Sequence, residues 1–251
     1  MIKKIKAIDI MKHSTIFKAV DYGSDDVNHF FVEHINNSNW EEHSFHIFNH
    51  FANNKKTMID IGGWIGATPI YCSYHYKRVV AFEIDSVALS RFKANLGVNT
   101  SIKNIDIVEK AITSHKGKQI LYAKGSFGDS ESSLYELEDA SGSEVVDTIT
   151  FEEGMKENGV DNNDIALIKI DIEGSEKSVI PNMKKWLGLH KPPLYLSLHH
   201  HLLSVKEMNL ILDILFDIYK SRKIWDKNNN SMEITKDALI KEKLMDCVFT
   251  Q

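Results

Sequence analysis

Met58-Ile59-Asp60-Ile61-Gly62-Gly63-Trp64-Ile65-Gly66 runs from an apolar strand through one acid into a glycine-rich turn. The next residues, Ala67-Thr68-Pro69-Ile70, read as a helix start, with Thr68 accepting from a free amide and Pro69 at the first helical position. Strand, glycine turn and helix in that order make a cradle for a nucleotide-type cofactor. Glycines bring bare backbone up to a ligand, and the helix end contributes free N–H groups. The plainer alternative is a structural turn followed by a solvated acid.

The chemistry of the turn narrows the ligand. A dinucleotide fingerprint, G-x-G-x-x-G, places an uncharged strand end against a pyrophosphate. Here the spacing is Gly62-Gly63-x-x-Gly66, and the carboxylate of Asp60 precedes it. S-adenosylmethionine carries an ammonium and a sulfonium but no phosphate, so it suits this turn better. Glu83 ends the next apolar run, Arg78-Val79-Val80-Ala81-Phe82. That is about 20 residues on, where an acid can accept both ribose hydroxyls, with Asp85 as the neighbouring alternative.

From Thr57 onward strands and helices alternate, with strands expected over Thr57–Ile61, Arg78–Glu83, Ile105–Glu109, Asp164–Asp171 and Pro193–His199. Helices are expected over Pro69–His75, Ser86–Leu96, Ser175–Leu187 and Val205–Tyr219, and a terminal strand pair includes Asp246–Phe249. Such alternation predicts an α/β fold with a mostly parallel sheet and helices on both faces. Upstream, the apolar residues between His29 and Phe51 suggest one or two helices broken at Asn36-Asn37-Ser38-Asn39. Residues 1–56 therefore read as an N-terminal helical extension of one unit spanning 57–251. The Ser/Gly/Asp/Glu-rich middle, between Gln119–Tyr122 and Val145–Ile149, fits a mobile loop near the site or a plain surface loop equally well.

With 251 residues, a net charge of −5 and a pI near 6.2, the chain has no general attraction to nucleic acid. Lys3, Lys4 and Lys6 make a small basic start, read as solvated. Cys72 and Cys247 are too few for a disulfide framework or a zinc cluster. Neither a signal peptide nor a membrane span is expected, and the cysteine usage fits the cytoplasm. His43, His46 and His50 sit near helical spacing, but no companion ligands complete a metal site, so a polar helix face is expected.

Lys169 interrupts an apolar strand, and Asp171 follows on the same face. Buried charges require partners, so each is expected to be paired or to face a ligand at the carboxyl edge of the sheet. Glu176 reads as a helix-start acid. His199, His200 and His201 end the next strand, and a near-neutral imidazole there could take a proton from an acceptor hydroxyl. His199 ranks first because it continues the strand. Hydrogen-bonded filler is the alternative.

Asp60-Ile61-Gly62-Gly63-Trp64-Ile65-Gly66, Phe82-Glu83, Ser132-Ser133-Leu134, the run Leu167-Ile168-Lys169-Ile170-Asp171-Ile172-Glu173-Gly174-Ser175-Glu176 and Pro193–His199 together resemble the FkbM family of S-adenosylmethionine-dependent methyltransferases. The resemblance covers roughly Trp40 to His201. It implies the class I methyltransferase fold, Rossmann-like with seven strands, and O-methylation of a sugar, polysaccharide building block or natural product. It also implies cofactor contacts at Asp60, Gly62, Gly66 and Glu83, with Gly63 in the same turn, and an active-site edge at Asp171. Trp64 stands where the family usually has a small polar residue, and Ser197 where it often has Glu. His199, Asp171 and Lys169 are the catalytic candidates, and no resident metal is expected. A metal-dependent O-methyltransferase, a nicotinamide oxidoreductase and a non-enzymatic cofactor-binding protein are the rival readings. The expected partner is a small-molecule or glycan acceptor, and the pattern is silent on oligomeric state.

Overall fold

The computed structural model describes residues 6–23, 27–36, 40–136 and 139–251. Lys3, Lys4 and the expected break at residues 37–39 lie outside the described residues. The chain begins with an antiparallel hairpin, β1 (Lys6–Lys12) and β2 (Thr15–Asp21), before helices α1 (Val27–Asn36) and α2 (Glu42–His50). The expected helical extension is thus partly β. Alternation puts Ile10 and Phe17 inward and leaves Met11 and Ile16 exposed, but the connecting turn at His13-Ser14 lacks the Asn-Gly signature that marks a hairpin.

The alternating region starts with β3 (Thr57–Ile61), α3 (Ala67–Cys72), β4 (Arg78–Phe82), α4 (Ser86–Val98) and β5 (Ile105–Val108). A separate three-stranded sheet follows, made of β6 (Ala111–Ile112), β7 (Gly117–Ala123) and β8 (Gly142–Ile149), and then α5 (Phe151–Glu157). The alternation resumes with β9 (Ile165–Ile170), α6 (Glu176–His190), β10 (Leu194–Ser197) and α7 (Val205–Ile218). The chain closes with β11 (Ser221–Trp225), β12 (Ser231–Glu233), α8 (Lys236–Lys241) and β13 (Asp246–Thr250).

The main sheet has the order β12-β11-β13-β10-β9-β3-β4-β5. Its five strands from β10 to β5 are parallel, while β13 runs antiparallel between β10 and β11. The expected sheet of seven strands gains an eighth, β12, an exposed edge strand paired antiparallel to β11. With no buried residue, β12 has no hydrophobic pattern for the sequence to display.

The central strand β3 is buried along its whole length. Ile59 and Ile61 pack with Val80, Phe82, Ile168 and Ile170 on the face covered by α5, α6 and α7, whereas Met58 faces Phe45, Phe48 and Tyr71. Asp60 alternates onto the Met58 face. Helix α7 owes its clean boundary to a capping box, in which Ser204 and Glu207 satisfy each other's backbone N–H groups. Helix α3 starts at Ala67 with Gly66 as its N-cap, so Thr68 and Pro69 fall one or two positions inside the helix instead of marking its start.

Gly66 has φ +88°, and a Cβ there would come within 2.2 Å of the Phe92 ring on α4. The position therefore needs glycine both for its backbone and for helix-to-turn packing. Replacing Gly66 with Ala is expected to lower unfolding free energy by about 2–4 kcal/mol, from left-handed strain plus overpacking. Urea denaturation measures it, and a change below about 0.5 kcal/mol would contradict this packing account.

Candidate functional site

A cavity of about 660 Å³ opens at the carboxyl ends of β3, β4, β9 and β10, the ligand edge of an open α/β sheet. Gly62, Gly63, Glu83, Lys169, Asp171 and His199 all reach its wall, whereas among the described residues Asp60 and Gly66 do not. Asp60 is 0% exposed and contacts Lys169, its cross-strand register partner, through Oδ1 at 3.2 Å. The Lys169 ammonium also lies 3.2 Å from Asp171 Oδ2 and donates to the Gly62 carbonyl at 3.0 Å. Burial opposes its charge, but Asp171, Asp60 and Glu41 outweigh that and hold its pKa above the ordinary lysine value. Lys169 is therefore a fixed cation, and Asp60 lies beneath it, off the cavity wall.

The turn above this pair is built by backbone contact. A Cβ on Gly62 would fall 1.9 Å from the Asp171 carbonyl oxygen, so the β3 turn can meet the end of β9 only through a glycine. The amides of Gly62 and Gly63 both donate to the Phe82 carbonyl at 3.0 Å, fastening the turn to β4 as well. Trp64 adopts φ +46°, a conformation more readily taken by Asn. Its indole Nε1 donates to the Gly128 carbonyl at 2.9 Å, and its ring lies 6.2 Å from Trp40. Trp64 forms a wall of the cavity.

Glu83 sits at the end of β4 with both oxygens fed by backbone amides. Oε2 accepts from Trp64 at 2.6 Å, and Oε1 from Ile84 at 2.6 Å and Asp85 at 2.8 Å. Burial lifts its pKa to about 7 against the pull of those amides. The alternative acid, Asp85, is committed elsewhere. Its Oδ1 caps α4 through Val87 and Ala88, and its Oδ2 accepts from the Gly128 amide and the Ser132 hydroxyl. Ser133 adds a bond to the Glu173 carbonyl at 2.7 Å. The middle segment is therefore a strap across the cavity, tied down at Trp64, Asp85 and Glu173.

At the opposite end of the cavity His199 is 3% exposed. Its Nδ1 lies 2.9 Å from Glu176 Oε1, and its Nε2 lies 3.1 Å from Glu173 Oε1 and 3.4 Å from Asp171 Oδ1. Burial would lower its pKa, but Glu173 and Glu176 raise it to about 11. The imidazole thus carries its proton at neutral pH, a state that does not serve the base expected at this position. Strand β10 ends at Ser197, so the strand alternation that ranked the histidines stops before them. His200 bonds the Leu244 carbonyl at 2.9 Å, and His201 is exposed.

Four more carboxylates complete this end. Glu176, 0% exposed, is not the solvated helix-start acid that its position suggests, because it holds His199 and accepts from the Ile172 amide. Glu173 follows Asp171 with φ +47°. Asp246 on β13 accepts from the hydroxyls of Ser197 and Tyr195 and lies 2.8 Å from His43 Nε2. Glu41, at the start of α2, has its pKa raised to about 7 by burial and by the negative charges of Asp171 and Asp246. Glu41 and Asp246 come from elements far apart in sequence, and no local pattern marks them. The signal for Glu173 and Glu176 is their place in the run after β9. His46 and His13 flank Glu42 at 3.8 and 3.0 Å, so the helix face that reads as polar also holds a histidine cluster. Cys72 and Cys247 are buried thiols.

The Methyltransferase FkbM domain family matches residues 49–217. No curated protein matches the sequence. Among solved structures, the chain is similar to the FkbM methyltransferase of Methylobacillus flagellatus KT, with 19% identity and a TM-score of 0.51 over 79% of this chain and 44% of that one. The chain thus spans less than half the length of that protein, and the likeness is one of fold. It is also similar to an rRNA methylase of Streptococcus thermophilus, with 10% identity and a TM-score of 0.47 over 83% of this chain and 95% of that one. A Streptococcus mutans protein solved in complex with SAH has 11% identity and a TM-score of 0.45 over 83% of this chain and 96% of that one. Among the described residues no helix is long and apolar enough to cross a membrane.

Removing one partner of the buried pair tests its place in the site. Lys169→Met is expected to cost about 3–5 kcal/mol, because it strips the fully buried Asp60 carboxyl of its partner, and adding Asp60→Leu should restore much of that loss. Denaturation of the two variants checks it. A single-variant loss under about 1 kcal/mol would remove the pair as a structural constraint.

Proposed function

The chain belongs to the FkbM methyltransferase family, with S-adenosylmethionine as cofactor, and from that premise we propose that it methylates a hydroxyl oxygen of an uncharged, polyhydroxylated acceptor such as a sugar, a polysaccharide building block or a natural product. The observation that carries the cofactor half is Glu83, whose carboxylate is held by three backbone amides beside the bare Gly62-Gly63 turn. The residues present fit the cofactor. Glu83 retains one acceptor site, on Oε2, for a ribose hydroxyl, and Ala111, Ile112 and Leu121 supply apolar wall nearby. Gly62 and Gly63 present bare backbone to the cavity, and a Cβ on Gly62 would meet the Asp171 carbonyl at 1.9 Å and one on Gly63 the Phe92 ring at 3.3 Å.

When bound, the cofactor supplies an electrophilic methyl group on a sulfonium and leaves as a neutral thioether. This chain then has to align an acceptor oxygen and receive its proton. Positioning alone can contribute about 7–11 kcal/mol at best. The acceptor end carries Glu41, Asp171, Glu173 and Asp246, and Lys169 is already shared between Asp60 and Asp171. A phosphorylated or carboxylated acceptor would meet repulsion there, whereas hydroxyls find acceptors in every direction. Glu41, with its pKa near 7, is suited to take the hydroxyl proton as the oxygen forms its bond to carbon. Lys169 holds Asp171, and His199 joins the group of carboxylates as a positioning residue.

Two measurements test the halves separately. Affinity for S-adenosylhomocysteine by calorimetry is expected to be highest above pH 7 and to fall as Glu83 protonates below it. Glu83→Gln should weaken binding by about 10-fold or more and flatten that dependence. Unchanged affinity would take Glu83 out of the cofactor site. At saturating cofactor and acceptor, kcat is expected to rise with pH through about 7, as Glu41 ionises. Glu41→Gln should cut kcat by about 10²–10⁴-fold while leaving cofactor affinity intact, and near-normal turnover would exclude it as the base.

A further inference from the structure

We propose that Asp171, Glu173 and His199 form a divalent-cation site at the acceptor end of the cavity, with Glu176 orienting the histidine. The first support is mutual geometry. His199 Nε2 lies 3.1 Å from Glu173 Oε1 and 3.4 Å from Asp171 Oδ1, and one donor atom from each residue falls within 4.8 Å of the others. Ligands about 2.0–2.2 Å from one ion and roughly at right angles lie about 3 Å apart, so these two separations are those of neighbouring ligands.

The second support is the way each donor is held. A metal-binding imidazole commonly gives its other ring N–H to a carboxylate, which fixes the tautomer and the ring plane. His199 does this with Glu176, itself 0% exposed and anchored by the Ile172 amide. Asp171 is held through its other oxygen by Lys169, leaving Oδ1 turned to the histidine. Glu173 reaches the same point from a left-handed backbone at φ +47°, followed by Gly174 at φ +88°. Backbone strain of that kind recurs at ligand clamps. All three donors also line the cavity, so water or an acceptor hydroxyl can complete the coordination sphere.

Two carboxylate oxygens and one imidazole nitrogen suit a first-row divalent ion such as Mn²⁺ or Zn²⁺ better than Ca²⁺, which takes oxygen ligands. The ion's role would be to hold and acidify the acceptor hydroxyl. That role rests on the methyl-transfer reading, whereas binding of the ion does not. A second cluster, His13, Glu42 and His46, is less suited, because it offers one carboxylate where this site offers two, and its His13 is exposed.

The test is titration of the chelator-stripped protein with Mn²⁺ by electron paramagnetic resonance and with Zn²⁺ by equilibrium dialysis. One bound ion per chain is expected at this site, and Glu176→Gln should weaken it by about 10–100-fold. Glu173→Gln should weaken it at least as much, and its partly exposed position makes it the safer variant if His199→Gln does not fold. His46→Ala is expected to leave this affinity unchanged. An imidazolium makes the same short contacts without a metal. Failure to bind either ion, or binding that survives Glu173→Gln and Glu176→Gln, therefore overturns the proposal. S-adenosylhomocysteine is titrated in parallel in the presence of chelator. Cofactor binding without ion binding sinks the cation site alone, and ion binding without cofactor binding sinks the methyl-transfer reading alone.

Discussion

The ion pair between Asp60 and Lys169 is the constraint from which the site is built. Both side chains leave adjacent parallel strands one residue before their carboxyl ends and face the same way, so each is confined to the other's reach by the register. Placing two charges in a sheet core carries a large desolvation cost, which only close pairing and further hydrogen bonds can offset. The further bonds run to the Gly62 carbonyl and to Asp171, and these are the groups that begin the two loops at the mouth of the cavity. A pair buried beneath the surface thereby sets the position of groups that face a ligand.

The close approach of Gly62 to the Asp171 carbonyl extends that constraint to the backbone. With those loops fixed, Glu83 receives the Trp64 amide, and the Trp64 indole reaches across to Gly128. The strap is therefore anchored to the glycine turn at one point and, through Ser133, to the Glu173 loop at another. Trp64 departs from the usual family residue, and its added bulk becomes a wall bonded to the strap.

Charge distribution divides the cavity into two ends. Around Glu83 the partners are backbone amides. Around His199 the partners are Asp171, Glu173 and Glu176, with Glu41 and Asp246 nearby. An imidazole enclosed by carboxylates keeps its proton unless another cation takes the place of that proton. This is why the residue that a strand-end pattern marks as a base has different chemistry in the folded chain.

The sequence by itself determined the strand–turn–helix unit, the parallel alternation and the family. Their signals are local: apolar runs of strand length, glycines where a side chain would collide, and a charged run directly after β9. It also located Glu83, Asp171 and Lys169, because an acid or base that breaks an apolar strand stands out in one dimension. The β1–β2 hairpin, whose turn carries no special residue, and the edge strand β12, which buries nothing, left no such mark. Which of the singled-out residues face the cavity was decided only by tertiary structure. Asp60 and Gly66 are turned into the protein by the sheet face and by Phe92, Glu41 and Asp246 are delivered to the cavity by the start of α2 and by β13, and α6 sets Glu176 behind His199. The protonation of His199 was decided there as well, since an imidazole takes its charge from neighbours that only the fold brings within 3 to 4 Å.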